Sequence, residues 1–385
     1  MPPSIKVLIV MGPIAQGGAE WQIYHLLRLL DKDRFQPLLA SVRFADSSLV
    51  IDDGDRLIRD EFYSLGVPIY EISEYRRNDP SNALALARII RDLSVDVVHA
   101  NLYPGETWGR LAAFLTGVPV IIHKRGMPFL TGKSTHVLVD WLLNLRTTRI
   151  IVPSNAVRDR LIGLEPLLKD KVNVIYSGVD LNSWKRASSD ELISLRRELG
   201  ISEGEFVITN VARLRKIKGQ EYLIRAAPKV IEQYPNTRFL FVGNGELQQY
   251  LSDLANSLGI GSRVLFLGAR KDIDRILSLT DVFVFPSLQE SFGVALVEAA
   301  LMGVPAVATR VGGITEIVIE GETGLLVPPR DPEALASSVI RLLSEDSLRE
   351  HMGLKAKECA ASRFDIKLTV GKLQEEYLKA AGVRC

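Results

Sequence analysis

The most constraining feature of the sequence is the stretch at 282–313, VFVFPSLQESFGVALVEAALMGVPAVATRVGG. Its first four residues, VFVF, form a short run of branched and aromatic residues, which is typical of a buried strand in a parallel sheet. Pro286 and Ser287 end this strand, and FGVALVEAALM then has the apolar spacing of a helix that ends at Gly303. A second buried strand, VPAVAT, follows. The stretch therefore predicts a strand–loop–helix–strand unit of an open α/β sheet.

Two glutamates lie where such a unit binds ligands. Glu290 is in the loop after the first strand, and Glu298 is in about the second turn of the helix. Ligands of open α/β sheets bind at the carboxyl ends of the strands, and a helix start suits a phosphate. A helix cap would equally explain Glu290. A solvated helix face would explain Glu298, although its apolar neighbours weaken that alternative.

The same alternation of strands and helices extends along the chain. Strands are predicted at 5–10, 37–42, 68–72, 95–100, 119–123, 150–154, 172–176 and 206–212, and further ones in TRFLFVG and RVLFLG. Helical patterns separate most of them, which predicts doubly wound parallel sheets. A length of 385 residues suits two domains.

Composition narrows the class of protein. The formal net charge of +1 gives no reason to expect a nucleic-acid partner. The two cysteines, Cys359 and Cys385, suggest neither a disulfide framework nor a metal site, and a reducing compartment is the simpler interpretation. The apolar run near residue 1 is short for a signal peptide, and no run is long enough to span a bilayer. We expect a cytoplasmic protein, at most peripheral on the inner face of a membrane.

Glycines and histidines follow strands in the first half of the chain. Gly17 and Gly18 lie between the first strand and the first helix, where they either let a ligand approach the backbone or simply form a turn. His99 and His123 are each predicted at the end of a strand. A histidine there is more often structural than catalytic, but both lie at the edge where ligands bind.

Two basic segments can contact an anion. Segment 124–133, KRGMPFLTGK, either receives an anionic or lipid-phosphate acceptor or forms a solvated loop. Segment 213–219, RLRKIKG, leads from a strand into a helix. Its arginines can pair with a diphosphate in bidentate fashion and its lysines as point charges, although any basic turn can do this by accident.

The glutamate pair resembles the E-x7-E motif of retaining glycosyltransferase family 4, because seven residues separate Glu290 from Glu298. The sequence Gly17-Gly18-Ala19-Glu20 resembles the GG-x-E element of that family. Arg213 with Lys218-Gly219 resembles its R-x4-K-G pattern. The motifs occur in family order, and the resemblance covers nearly the whole chain.

The resemblance implies an α/β protein of the GT-B fold, with two Rossmann-like doubly wound parallel-sheet domains that face a central cleft. Residues 1–183 would form the acceptor-side domain, completed by a C-terminal helix at about 366–385. Residues 184–365 would form the domain that binds the nucleotide sugar. VIYSGVDLNSW, from Val174, is similar to the family's crossover between the domains, with Ser177 where asparagine is usual.

The resemblance also implies roles for particular residues. Glu290 would bind donor-sugar hydroxyls, Glu298 the ribose hydroxyls, and His123 would lie against the sugar. Arg213 and Lys218 would stabilise the charge on the leaving diphosphate, so that neither a metal nor another cofactor is expected. The catalytic residues would thus be Glu290, His123, Arg213 and Lys218, and the donor-binding residues Gly17, Gly18, Ser291, Phe292, Gly293, Val294, Glu298 and Arg270.

The function implied is retaining transfer of a sugar from a nucleotide donor to an acceptor hydroxyl, with UDP-linked donors favoured over GDP-linked ones. The acceptor would be a glycan, a lipid-linked compound or a small molecule, and cell-surface polysaccharide or lipid-linked glycan synthesis is the usual setting. The family commonly has a glycine soon after its histidine, whereas this chain has Lys124-Arg125 first, which leaves the acceptor side open. The alternatives are a nucleotide-sugar epimerase on a similar scaffold and a non-catalytic binder of nucleotide sugars.

Overall fold

The chain folds into two compact units. A computed structural model describes residues 4–15, 17–45, 53–125 and 134–383. The first unit consists of Met1–Gly178 and Ile366–Cys385, and the second consists of Val179–Asp365. Each unit is built on one parallel sheet with helices on its faces, which confirms the predicted α/β class.

The first unit contains a seven-stranded sheet in the order β3-β2-β1-β4-β5-β6-β7. Every pair of neighbouring strands runs parallel. The strands are β1 (Ile5–Met11), β2 (Phe35–Val42), β3 (Ile69–Ile72), β4 (Val97–Asn101), β5 (Val120–His123), β6 (Arg149–Val152) and β7 (Val172–Val174). The strand order reverses between β1 and β4, so this is a doubly wound sheet with a switch point there.

Eight helices of the described chain belong to this unit. They are α1 (Gly18–Leu29), α2 (Asp53–Ser64), α3 (Ser81–Asp92), α4 (Leu102–Pro104), α5 (Arg110–Thr116), α6 (Ser134–Arg146), α7 (Asn155–Leu164) and α16 (Ile366–Ala380). The last one returns from the end of the chain to a core formed by one face of the sheet with α1 and α2. Its Leu373 and Tyr377 are buried in that core because alternate residues of the strands present an apolar surface to it.

The second unit contains a six-stranded parallel sheet in the order β10-β9-β8-β11-β12-β13. Its strands are β8 (Phe206–Val211), β9 (Thr237–Val242), β10 (Val264–Gly268), β11 (Val282–Phe285), β12 (Ala306–Thr309) and β13 (Gly324–Val327). Here the switch point lies between β8 and β11.

Helices cover both faces of this second sheet. They are α8 (Ser189–Leu199), α9 (Gln220–Gln233), α10 (Gln248–Ser257), α11 (Ile273–Leu279), α12 (Val294–Leu301), α13 (Ile314–Ile317), α14 (Pro332–Ser344) and α15 (Asp346–Arg363). Helix α8 begins at a reciprocal capping box that Ser188 and Glu191 form. No helix within the described ranges has the length and apolarity needed to cross a membrane.

The predicted strands differ from the observed ones mainly at their ends. Strand β12 begins at Ala306, whereas the pattern VPAVAT predicted a start at residue 304. Pro305 has no backbone N–H to donate to a neighbouring strand, so the ladder begins after it. Strand β4 continues to Asn101, and His99 therefore lies two residues before its end.

Candidate functional site

Strand order brings two distant segments of the second unit together. β8 and β11 are neighbours in the sheet, so the loops at their carboxyl ends meet at the switch point. The first loop is the basic segment 213–219, and the second contains Glu290. The backbone N–H of Leu288 donates to the carbonyl of Ile217 at 2.8 Å, which joins the two loops directly.

Lys218 and Glu290 form an ion pair at this edge. The Nζ atom of Lys218 lies 2.5 Å from Oε2 of Glu290, and the two side chains are only 21% and 14% exposed. The ammonium also lies 5.3 Å from the centre of the Phe285 ring. The Ser287 hydroxyl donates to the same carboxylate oxygen at 3.5 Å. A cation and a carboxylate are therefore positioned together on a shielded part of the sheet edge.

Glycines allow these loops to approach each other closely. Gly219 has φ +66°, and a Cβ atom placed on it would lie 2.0 Å from the carbonyl oxygen of Pro286. On the other side of the same loop, the N–H of Gly313 donates to the carbonyl of Glu290 at 3.2 Å. Backbone contacts on both sides therefore fix the position of Glu290.

Glu298 is half-buried on α12, as the apolar residues around it in the sequence indicate. Burial raises the pKa of its carboxyl to about 7. Within the described part of the chain, no side chain forms a hydrogen bond or ion pair with this carboxylate. In its ionised form the carboxylate can accept hydrogen bonds from a ligand at both oxygens, and in its protonated form one oxygen donates instead.

The raised pKa of Glu298 predicts a pH dependence of stability. The unfolded chain loses this proton near pH 4.5 and the folded chain near pH 7, so the folded state binds more protons between these values. The free energy of unfolding should then fall by on the order of 2 kcal/mol as the pH rises from 5 to 8. Thermal unfolding of wild type and Glu298→Gln at both values checks this. If the difference in unfolding temperature between wild type and Glu298→Gln is the same at pH 5 and pH 8, the prediction is wrong.

The other predicted residues of this unit lie on the same loops. Arg213 is exposed, and its carbonyl accepts a hydrogen bond from the Gln220 amide at 3.0 Å. Phe292 is buried, and Gly293, with φ +109°, precedes α12. Residues 291–294 thus form the entry to α12. Their predicted contacts with a donor stay predictions.

Arg270 lies between two acidic side chains. Its guanidinium binds Asp272 through two hydrogen bonds of 2.7 and 2.8 Å, and it binds Glu198 at 2.7 Å. These two carboxylates raise the pKa of Arg270. The guanidinium is thus engaged by neighbouring side chains, and its predicted role in donor binding stays a prediction.

The two predicted histidines meet in the first unit. His99 on β4 and His123 at the end of β5 are both 0% exposed, and their rings lie parallel with 5.8 Å between the centres. Nδ1 of His99 lies 2.6 Å from the hydroxyl of Tyr377 on α16. Among the described residues, Nε2 of His99 and both ring nitrogens of His123 have no hydrogen-bond partner.

Both histidines are held in the neutral form. Burial, together with the nearby charge of Arg125, lowers the pKa of His99 to about 3. Burial, Arg125 and His99 together lower the pKa of His123 well below its ordinary value. A neutral imidazole offers one donor and one acceptor, and buried polar atoms normally have partners. The predicted contact of His123 with the donor sugar stays a prediction. For His99, the sequence favoured a structural role, and its bond to Tyr377 is of that kind.

The glycine turn of this unit lies at the start of α1. Gly17 is the N-terminal cap of the helix, and a Cβ atom there would lie 2.3 Å from the carboxylate of Glu20. Gly18 is exposed and has no heavy atom within 4 Å of a Cβ position. Gly17 and Gly18 therefore form the turn from which α1 begins, and their predicted contacts with a donor stay predictions.

The basic segment after β5 is partly structural. Lys124 is buried, and its Nζ atom lies 2.7 Å from Asp140 on α6, which also pairs with Arg110. Although burial alone would raise the pKa of Asp140, Lys124 and Arg110 lower it. Sequence patterns did not indicate this network, because its members lie on three separate elements. The rest of the segment, 126–133, lies outside the described residues.

Comparison with known proteins agrees with this geometry. The family model described as Glycosyltransferase Family 4 matches residues 16–183, and the model described as Glycosyl transferases group 1 matches residues 193–359. The UDP-Gal:alpha-D-GlcNAc-diphosphoundecaprenol alpha-1,3-galactosyltransferase of Escherichia coli is 30% identical, over 78% of this chain and 79% of its own length. The chain belongs to glycosyltransferase family 4.

Two further comparisons extend this assignment. An uncharacterized glycosyltransferase of Methanocaldococcus jannaschii is 35% identical, over 60% of this chain and 60% of its own length. The crystal structure of Anabaena HepE in complex with UDP-glucose is 26% identical and superposes with a TM-score of 0.83, over 97% of this chain and 100% of that one. The two doubly wound sheets of this family 4 member are thus those of the GT-B fold, as expected.

Proposed function

We propose that this glycosyltransferase moves a sugar from a UDP-linked donor to an acceptor hydroxyl with retention of the anomeric configuration. The observation that carries the proposal is the Lys218–Glu290 pair, which is held at the switch point of the second sheet beside the start of α12. Ligands of doubly wound sheets bind at this place, and the start of a helix favours a phosphate.

Each residue of the pair has a task that suits its charge. The ammonium of Lys218 would stabilise the negative charge that develops on the leaving diphosphate, together with Arg213. The carboxylate of Glu290 would accept hydrogen bonds from hydroxyls of the donor sugar. Glu298, whose carboxylate lacks a donor among the described side chains, would accept them from the ribose. With two cations at the diphosphate, we propose that transfer needs no divalent metal.

Retention is proposed to occur by attack of the acceptor hydroxyl on the face from which the diphosphate leaves. The bond between the anomeric carbon and the phosphate oxygen breaks as the bond to the acceptor oxygen forms. The proton of the acceptor hydroxyl passes to the leaving phosphate, so no residue of this chain is assigned as a nucleophile. The neutral His123 would bind a sugar hydroxyl on the side of the first unit.

Two comparisons support a UDP-linked donor over a GDP-linked one. The Anabaena structure holds UDP-glucose, and the Escherichia coli relative takes UDP-Gal according to its name. The acceptor named for that relative, GlcNAc-diphosphoundecaprenol, is a lipid that carries a diphosphate. We propose a role in cell-surface polysaccharide or lipid-linked glycan synthesis, with peripheral contact to the membrane that holds the acceptor.

The proposal is tested by incubating the purified chain with UDP- and GDP-linked sugars in the presence of EDTA. We expect slow hydrolysis of one UDP-sugar, and its loss in Glu290→Gln. Proton NMR of the released sugar should show the donor's anomeric configuration before mutarotation. An absence of nucleotide binding would contradict the proposal. So would epimerisation of the donor with an intact phosphate bond, which is the outcome expected of an epimerase.

A further inference from the structure

An open cavity lies in the first unit at the carboxyl edge of β1, β2 and β3, outside the residues assigned so far. Residues that follow each of these strands line it, and Arg59 of α2 closes one side. Its polar lining consists of Ser41, Arg43, Arg59, Glu71 and Ser73. Ligands of doubly wound sheets bind at this edge.

Among the described residues that line the cavity, positive charge exceeds negative charge, because one of the two arginines has no counter-ion there. Nη2 of Arg59 lies 2.8 Å from Oε1 of Glu71, and the Tyr63 hydroxyl donates to the same oxygen at 2.8 Å. These contacts neutralise Arg59. Within the described ranges, no carboxylate lies within ion-pair distance of Arg43, whose guanidinium therefore carries the net charge of the cavity.

Arg43 is fixed in place by the sheet. Its N–H donates to the carbonyl of Ile72 at 2.8 Å, which continues the pairing of β2 with β3. Side chains of a strand alternate between faces, so Arg43 lies on the same face as Leu39 and Ser41. Leu39 belongs to the core that packs against α1 and α2. The residue is half-buried and lines the cavity, and an arginine guanidinium is suited to bind carboxylate or phosphate.

The position of the cavity relates it to the site of the proposed function. Val97 and Ile121 lie two residues before His99 and His123, so each shares a face of the sheet with its histidine. Both belong to the same core as Leu39, and the histidine pair therefore lies on the same face as Arg43. Two strand spacings, about 10 Å, separate β2 from β4. Pro13 and Ile14 line the cavity on the same loop that leads to Gly17. A small acceptor or an acceptor headgroup can span this distance.

We propose that this cavity, here named the Arg43 cavity, binds an acidic group of the acceptor, a carboxylate or a phosphate, while the acceptor hydroxyl lies near the histidine pair. The inference rests on the proposed function and adds the chemical class of the acceptor. The guanidinium of Arg43 binds the acidic group in bidentate fashion, and the hydroxyl of Ser73, which is exposed in the cavity, donates a further hydrogen bond.

The test uses inorganic phosphate and acetate as separate probes of the two acid types. Each is titrated into perdeuterated, 15N-labelled protein, and the backbone amide signals of Ser41 and Ser73 are followed by NMR. We expect a saturable shift of both signals with at least one probe. The probe that binds more tightly identifies the acceptor's acidic group as a phosphate or a carboxylate.

Three variants make the result specific. Arg43→Gln should weaken the apparent affinity roughly tenfold, because a hydrogen-bonded charge is lost. Arg43→Lys keeps the charge without the bidentate geometry and should give an intermediate value. Arg76→Gln is the matched control, because it removes the same charge from an exposed position that does not line the cavity, and binding should be unchanged.

Two outcomes would overturn the inference. One is the absence of a saturable shift in wild type, and the other is equal weakening by Arg43→Gln and Arg76→Gln, which would indicate a diffuse basic surface. Donor hydrolysis measured on the same samples separates this result from the proposed function. It should be unchanged in Arg76→Gln, which lies outside the cavity. If wild type binds the probe but hydrolyses no donor, the proposed function fails while the anion site stands.

Discussion

Replacement of Lys218 by methionine is expected to slow sugar transfer by roughly 10²–10³-fold, because one preorganised cation is removed from the developing charge of the leaving diphosphate. The side chain is only 21% exposed and points at Glu290 with 2.5 Å between nitrogen and oxygen. Its charge is therefore worth more than that of a lysine in water, since the surrounding dielectric is lower.

Two further variants distinguish this role from a general loss of positive charge. Lys216 lies in the same basic turn, is exposed, and pairs with no carboxylate in the described part of the chain, so Lys216→Met should retain nearly full activity. Lys218→Arg keeps the charge but not the compact ammonium, which fits between Glu290 and the Phe285 ring. We expect its activity to lie between those of wild type and Lys218→Met.

The measurement is the steady-state rate with the donor identified by the hydrolysis screen. A lysine that acts on the leaving group should lower kcat more than it raises the KM for the donor, because the interaction strengthens as charge develops. An increase in KM alone, with kcat preserved, would indicate that Lys218 only binds the donor. Equal losses in Lys216→Met and Lys218→Met would contradict the assignment altogether.

The fold could be predicted from sequence because parallel strands buried on both faces give continuous apolar runs. VFVF, which forms the whole of β11, is such a run, and its pairing with β8 and β12 follows from the doubly wound order. The residues at which strands begin and end were predicted less accurately. They depend on single residues such as Pro305, whose missing N–H delays the start of β12.

The candidate site was predicted only where local pattern and position on the sheet edge coincide. Lys218 and Glu290 are 72 residues apart, yet each follows a strand and the two strands are neighbours, so they meet. No sequence pattern indicates the hydrogen bond between His99 and Tyr377. Helix α16 is far from β4 in sequence, and only the packing of the folded unit decides which of its residues reaches His99. The Arg43 cavity was missed for a related reason. Its charge depends on which arginine Glu71 neutralises.

The glycine pair after β12 holds the backbone of Glu290, and this predicts a large effect of substitution. Gly312 has φ +49°, and a Cβ atom on it would lie 1.8 Å from the carbonyl oxygen of Glu290. That same carbonyl accepts a hydrogen bond from the N–H of Gly313. Backbone cannot move aside as the end of a flexible side chain can, so a methyl group at Gly312 must displace the loop that carries Glu290.

Gly312→Ala should therefore lower both stability and activity. Steric overlap and a positive φ together are expected to cost roughly 2–4 kcal/mol, which corresponds to a fall in unfolding temperature of about 5–15 °C for a unit of this size. Gly321→Ala is the matched control. Gly321 also has a positive φ, +78°, but a Cβ atom there meets no heavy atom within 4 Å. The loss of stability in Gly321→Ala should be about 1 kcal/mol, from backbone strain alone, with donor hydrolysis retained.

The prediction is checked by measuring the unfolding temperature and the rate of donor hydrolysis of both variants. If the two lose equal stability, strain rather than contact with Glu290 dominates at Gly312. If Gly312→Ala keeps full hydrolysis, the position of the Glu290 carboxylate does not depend on this glycine.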